Sequence, residues 1–282
     1  MKTGVAAAVL MTVGVCTAGL GQRAAADVQL PPVFSSGMVL QQNTAARIWG
    51  FGRPGERVIV TGHWKFVEGG AEIPEVIAET VTNEKGWWGV ELQTTAAAAA
   101  AKPVTITIQG DNTVTLSDVL IGEVWLASGQ SNMEWPIAAS AEPQRAIAEA
   151  GKLAGRVRFF QVENAFSLQR RAEAAGKWVE SSAETAPGFS AVAFGFAREL
   201  SVKLGMPVGI VQADWGGTPV EAWMSEGAIS AFPQYGAALK QQATLRDPTT
   251  RMSLMGDMEA KWWAGLDGLK GGAGPGWMKP EF

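Results

Sequence analysis

The periodicity of this chain changes at Asp118, and no other feature constrains the fold as much. Ahead of that point, short β-branched or aromatic runs alternate with turns. Residues 46–51, 58–62, 86–92 and 104–110 read as strands, and Arg53-Pro54-Gly55-Glu56 and Asp111-Asn112 as turns. Residues 33–116 therefore predict a small β sandwich. The alanine run 96–101 leads into Lys102-Pro103, which favours a loop over a helix despite its helix propensity. Behind Asp118, strands alternate with helices: strands at 119–127, 157–162 and 207–212, and a helix at 142–150. A second helix opens at Phe189-Ser190 and runs to Leu204. Ser190 is its cap, Val192, Phe196, Leu200 and Leu204 recur at helical spacing, and Gly205 is its stop. Strand, helix, strand implies a right-handed crossover in a parallel sheet. The spacing also predicts helices over 235–246 and 250–266, followed by a Gly-rich tail.

The strand at 119–127 delivers Gly129-Gln130-Ser131-Asn132-Met133. Two readings of this cluster stand side by side. In one, Ser131 is a nucleophile on a sharp turn at a strand end, with an unpaired backbone N–H beside it, both being parts of an acyl-transfer site. In the other, the cluster is an ordinary strand-to-helix loop in which Ser131 or Asn132 caps the next helix. A second segment, Trp215-Gly216-Gly217-Thr218-Pro219, follows the strand at 207–212 and on its own reads equally as a plain turn. In a parallel sheet, ligands collect outside the carboxyl ends of the strands, where Ser131 and Gly216 both fall.

Residues 118–136 read D-V-L-I-G-E-V-W-L-A-S-G-Q-S-N-M-E-W-P, and residues 207–223 read P-V-G-I-V-Q-A-D-W-G-G-T-P-V-E-A-W. Both blocks, in this order and separation, resemble the sialate O-acetylesterase family, carbohydrate esterases of the SGNH hydrolase superfamily. A weaker likeness over residues 40–62 matches the small β domain that precedes the hydrolase domain in that family. The resemblance implies an α/β fold: a small N-terminal β sandwich (27–117), then an incomplete SGNH-type three-layer α/β/α parallel-sheet hydrolase domain (118–270). It also implies the chemistry. Ser131 would attack an acetyl ester carbonyl, and its own N–H and that of Gly216 or Gly217 would donate to the oxyanion. Such fixed donors contribute about 3 kcal/mol each where charge develops in a dry pocket. Gln130, Asn132, Trp135 and Trp215, beside the motifs, become the candidates for contact with an acetylated sugar, and no cofactor or metal is implied.

The sequence also departs from the family. The general base of these enzymes is a His in an Asp-x-x-His motif, and a Gln-Gly-Glu segment supplies a further oxyanion donor. Neither motif occurs here. The one histidine, His63, lies in the sandwich region ahead of Ser131, where a surface strand position is the simpler reading. Residues 271–282 look like the opening of the β-rich insertion that interrupts the family's hydrolase domain, so the chain reads as an N-terminal fragment with little or no turnover. A half-built parallel sheet is then expected to leave apolar surface open.

Composition narrows the setting. A short basic start, an apolar stretch over 5–20 and Ala24-Ala25-Ala26 read as a signal peptide over 1–26, giving a secreted or periplasmic protein with no membrane association after cleavage. The apolar stretch is short and broken for a bilayer anchor. The single cysteine, Cys16, falls in this leader, so neither disulfides nor a thiolate metal site is expected in the mature chain. A net charge of -4 with 18% charged residues argues against nucleic-acid binding. Twelve Trp against one Tyr suits a protein that stacks indoles on sugars, and a noncatalytic carbohydrate-binding protein is the competing class. A glycosidase would need a carboxylate pair. Of Glu123, Glu134, Asp214 and Glu221, none is fixed by sequence at a defined separation, and Glu134 and Glu221 read more simply as solvated or helix-start acids.

Overall fold

The computed structural model describes residues 27–68, 70–97 and 102–268. The leader at 1–26, the end of the alanine run and the tail at 271–282 lie outside the described residues. The first region comprises β1 (Val39–Gln41), β2 (Ala45–Phe51), β3 (Arg57–Gly62), β4 (Phe66–Glu68), β5 (Ala71–Ile73), β6 (Val76–Val81), β7 (Trp87–Gln93), β8 (Val104–Gln109) and the long β9 (Thr113–Gly129). The second comprises α1 (Ser131–Glu134), α2 (Pro143–Lys152), β10 (Val157–Val162), β11 (Gly176–Glu180), α3 (Ala191–Leu204), β12 (Val208–Asp214), α4 (Glu226–Ile229), α5 (Gly236–Leu245) and α6 (Pro248–Gly268). Among the described residues no helix is long and apolar enough to cross a membrane.

Period-two burial in β2 and β7 turns every second side chain inward. The β2–β7 pair thereby presents Ile48, Val90 and Leu92 to Val58, Val60, Ile106, Ile108 and Leu116 of the antiparallel sheet β6–β3–β8–β9. Two sheets face each other across one apolar core, each fully buried Val, Leu or Ile contributing about 2 kcal/mol relative to an exposed one.

One strand serves both regions. The first part of β9 pairs antiparallel with β8, residues Leu120 to Gly122 pair with β1, and Glu123 to Gly129 pair parallel with β12. β12 in turn pairs parallel with β10, and β11 closes that edge antiparallel. The change of role is visible in the backbone. The β8–β9 register slips between the Val104 and Ile106 pairs, and Asp118 takes a left-handed φ of 55°. Arg158 of β10, 3% exposed, holds this bend. Its guanidinium donates to the carbonyls of Gly37 and Asp118 and to Asp118 Oδ1. The shift of periodicity read from the sequence at Asp118 is thus a bulge within one continuous strand.

One face of the parallel sheet, carrying Ala127, Val157, Phe159, Val208 and Ile210, shares a core with Ala193, Phe194 and Ala197 of α3. The helix is capped as expected. Ser190 Oγ accepts from the Ala193 N–H at 3.1 Å, and Gly205 stops the helix at φ 68°, a conformation glycine adopts without strain. Its buried face, however, differs from the expected spacing. Ala193, Phe194, Ala197 and Ser201 are buried, whereas Val192, Phe196 and Leu204 are exposed. Small residues four apart let the helix sit close to the strands, and Phe196 packs its ring edge-on to Trp125 at the flank. On the opposite sheet face, Val39 covers Gly209, and Trp178 stacks obliquely on Phe160.

Candidate active site

Gln130, Ser131 and Asn132 form the turn that ends β9 and starts α1; Gly216 and Gly217 form the turn after β12. Because β9 and β12 are parallel neighbours with Gly129 opposite Asp214, both turns leave the sheet at the same end. The Trp215 N–H extends the ladder by one bond, to the Gly129 carbonyl at 3.1 Å. A methyl group placed on Gly216 would lie 3.5 Å from Ser131 Oγ. The two blocks, remote in sequence, are brought together.

The donors around Ser131 are not all free. Gln130 Oε1 accepts from both the N–H and the hydroxyl of Ser131, at 3.1 and 2.9 Å. The Gly216 N–H donates to Glu134 Oε2 at 2.8 Å. The Gly217 N–H makes no hydrogen bond among the described residues. Asn132 is exposed and its side chain has no hydrogen-bond partner among the described residues. Trp135 is 55% exposed with its indole N–H held by the Ala139 carbonyl, and Trp215 is 37% exposed. Trp223, which the sequence did not single out, stands nearby in chain: its indole N–H donates to Thr218 Oγ1, which itself donates to the Trp215 carbonyl.

Asp214 lies beneath the turn, 8% exposed, with Oδ2 buried and without a hydrogen-bond partner. Burial raises its pKa above the ordinary aspartate value, a hydrogen bond from Gln212 opposes that, and the nearby Glu134 charge adds to the rise. The remaining carboxylates named from sequence are tied to other partners. Glu123 accepts from the side-chain amides of Gln41 and Gln42, and Glu221 accepts from the Tyr235 hydroxyl, which lowers the Glu221 pKa. His63 lies just past β3, its ring nitrogens bonded to Glu75 and Thr107. Both of those partners belong to the sandwich region. Among the described residues, no group of three or more His, Cys, Asp or Glu could hold a metal ion.

The sequence reading of Glu134, as a solvated or helix-start acid, missed its reach to the neighbouring turn. The signal was present in the spacing of Ser131-Asn132-Met133-Glu134, since Ser-x-x-Glu is a capping-box pattern in which the Glu seeks a backbone N–H. Here it takes one from the neighbouring turn instead of from its own helix.

A parallel sheet with a serine turn and a glycine turn at one end, preceded by a β sandwich, has a counterpart among solved structures. A carbohydrate acetylesterase from Xanthomonas citri matches with a TM-score of 0.63 and 33% identity over 73% of this chain and 44% of its own. The fold is accordingly of the SGNH-like carbohydrate acetylesterase class. By sequence, the chain is a homologue of the sialate O-acetylesterases over most of its length: 33% identical to the rat protein over 208 residues, 69% of this chain, and 30% identical to the human protein over 233 residues, 78% of it. It spans 37% of the rat protein and 42% of the human one. No protein-family model matches the chain.

Proposed function

We propose that this protein carries the nucleophile part of a serine carbohydrate esterase that removes O-acetyl groups from sialic acid or related acetylated glycans. The observation that carries the reading is the convergence of Ser131 Oγ and the Gly216 turn at the carboxyl ends of adjacent parallel strands. Homology to sialate O-acetylesterases supports the choice of substrate class. In the reaction, Ser131 Oγ would add to the acetyl carbonyl carbon, the negative charge developing on oxygen would be met by backbone N–H donors, and the sugar oxygen would leave with a proton. Gln130 must turn aside for the Ser131 N–H to reach that oxygen, because its own amide oxygen now holds it. Trp135 and Trp215, which adjoin the serine and glycine turns in sequence, are exposed and would offer faces for a sugar ring.

No imidazole of this chain is placed to take the serine proton, since the one histidine is bonded to Glu75 and Thr107. The reading therefore carries an expectation of little or no turnover by the chain alone. Hydrolysis of acetylated sialic acid, assayed with and without added imidazole as a base, tests it. Acetate release that depends on imidazole and vanishes in Ser131→Ala supports the reading. Steady release without imidazole would overturn the low-turnover expectation, and sugar binding with no Ser131-dependent release under either condition favours the noncatalytic binding protein. We further propose export to the periplasm or medium, on the strength of the leader-like residues 1–26; an exported protein whose first residue is near Asp27 is the expected result of N-terminal sequencing.

A further inference from the structure

We propose that Glu134 is a positioning residue, which pins the Gly216 peptide to the serine turn and so sets the gap an ester carbonyl must enter. The inference rests on Ser131 being the nucleophile. The ladder between β9 and β12 ends at the Trp215 N–H. Beyond it, the bond from the Gly216 N–H to Glu134, spanning 82 residues of sequence, ties the two turns together. The turn that follows is closed on itself, through Thr218 and the Trp215 carbonyl.

The identity of residue 216 fits this role. A Cβ there would stand 2.3 Å from Glu134 Oε2, a separation no pair of such atoms tolerates, so glycine at 216 admits the carboxylate, not only the substrate. The same bond divides the labour between the two glycines. The amide of Gly216 is committed to Glu134, whereas that of Gly217 has no partner among the described residues and is the one left for the oxyanion. Beneath them, burial of Asp214 and the nearby Glu134 charge raise the Asp214 pKa above the ordinary aspartate value, against a hydrogen bond from Gln212.

The test uses the whole chain, p-nitrophenyl acetate as the ester and imidazole as the base. Ser131 Oγ bonds to the acetyl carbon, nitrophenolate leaves, and imidazole takes the hydroxyl proton; acetyl-Ser131 is read by peptide mass spectrometry. Misplacement on the scale of an ångström costs up to about a hundredfold. Glu134→Ala should accordingly slow Ser131 acylation by about tenfold or more at saturating ester, with little change in the half-saturating concentration. Glu134→Gln keeps an oxygen acceptor for the amide and should recover most of the rate. Gly216→Ala expels the carboxylate and should match Glu134→Ala, and the double variant should be no slower than either. In nitrogen-15 spectra the Gly216 amide proton should move upfield in Glu134→Ala. A Glu134→Ala rate within twofold of the parent, an unmoved Gly216 amide, or independent and additive losses in the double variant overturns the proposal. Absence of Ser131 acylation in the parent is a different failure, which removes the nucleophile reading and this inference with it.

Discussion

The sandwich and the parallel sheet bury their apolar surface to very different degrees. In the sandwich, Ile48, Val58, Val60, Leu92, Ile106 and Ile108 are fully enclosed between two sheets that face each other. In the parallel sheet, one face is closed by α3 while the other is covered at one end only, by Val39 and Trp178. Leu126, paired with Val211 on that second face, is 69% exposed, and Trp125 and Phe196 stand open at the flank. Parallel strands are ordinarily covered on both faces. The region with the closed core carries no candidate chemistry, and the site sits on the region whose cover is partial.

That contrast can be tested from its largest consequence downward. Phe159→Ala in the parallel-sheet core and Leu92→Ala in the sandwich core should each destabilise the chain by about 3 to 4 kcal/mol. Because β9 runs through both cores, each should lower one shared transition in urea unfolding monitored by fluorescence and circular dichroism. Two separate transitions, each sensitive to only one substitution, would break the comparison by showing independent units. Arg158→Met should cost about 2 kcal/mol, since it leaves the Gly37 and Asp118 carbonyls without their donor. The same urea curves would register it.

Asp214 gives a smaller effect that depends on pH. Its folded-state pKa lies above the ordinary value of 3.8, so the folded chain holds the proton more tightly than the unfolded chain. The associated stability is present below the ordinary aspartate range and is lost as pH rises through the raised value. Asp214→Asn should remove that loss, so urea midpoints of parent and variant should diverge in favour of the variant as pH rises above the ordinary aspartate value of 3.8. The smallest effect is expected for Leu126→Ala on the open face, within about 0.5 kcal/mol. A cost comparable to that of Leu92→Ala would show that something covers Leu126 in solution.

Much of the fold was legible because it is written locally. The Ser190 cap, the Gly205 stop and the strand over 119–127, which lies within β9, are signals of a few adjacent residues, and the parallel pairing of β10 and β12 followed from the strand, helix, strand order. What was not legible depends on partners far away in sequence. β11 is short and mixed in exposure, so it gave no alternation to read. The inward face of α3 is built from Ala193, Ala197 and Ser201, which carry little hydropathy, and the more apolar Val192 and Phe196 misdirected the expected spacing. Arg158 reaches across 121 residues to Gly37, and Glu134 across 82 to Gly216. In the site, the convergence of Ser131 with Gly216 could be anticipated from the rule for parallel sheets, whereas the capture of the Gly216 amide by Glu134 could not, because a capping-box glutamate is expected to serve its own helix.

The continuity of β9 means that the serine has no independent mount. Its turn stands at the tip of a rail whose other end is clamped in the sandwich, with the Arg158 guanidinium as the bolt at the bend. An engineer who excised the hydrolase portion for transplantation would saw through that rail, and would lose the alignment of the serine before touching any residue near it.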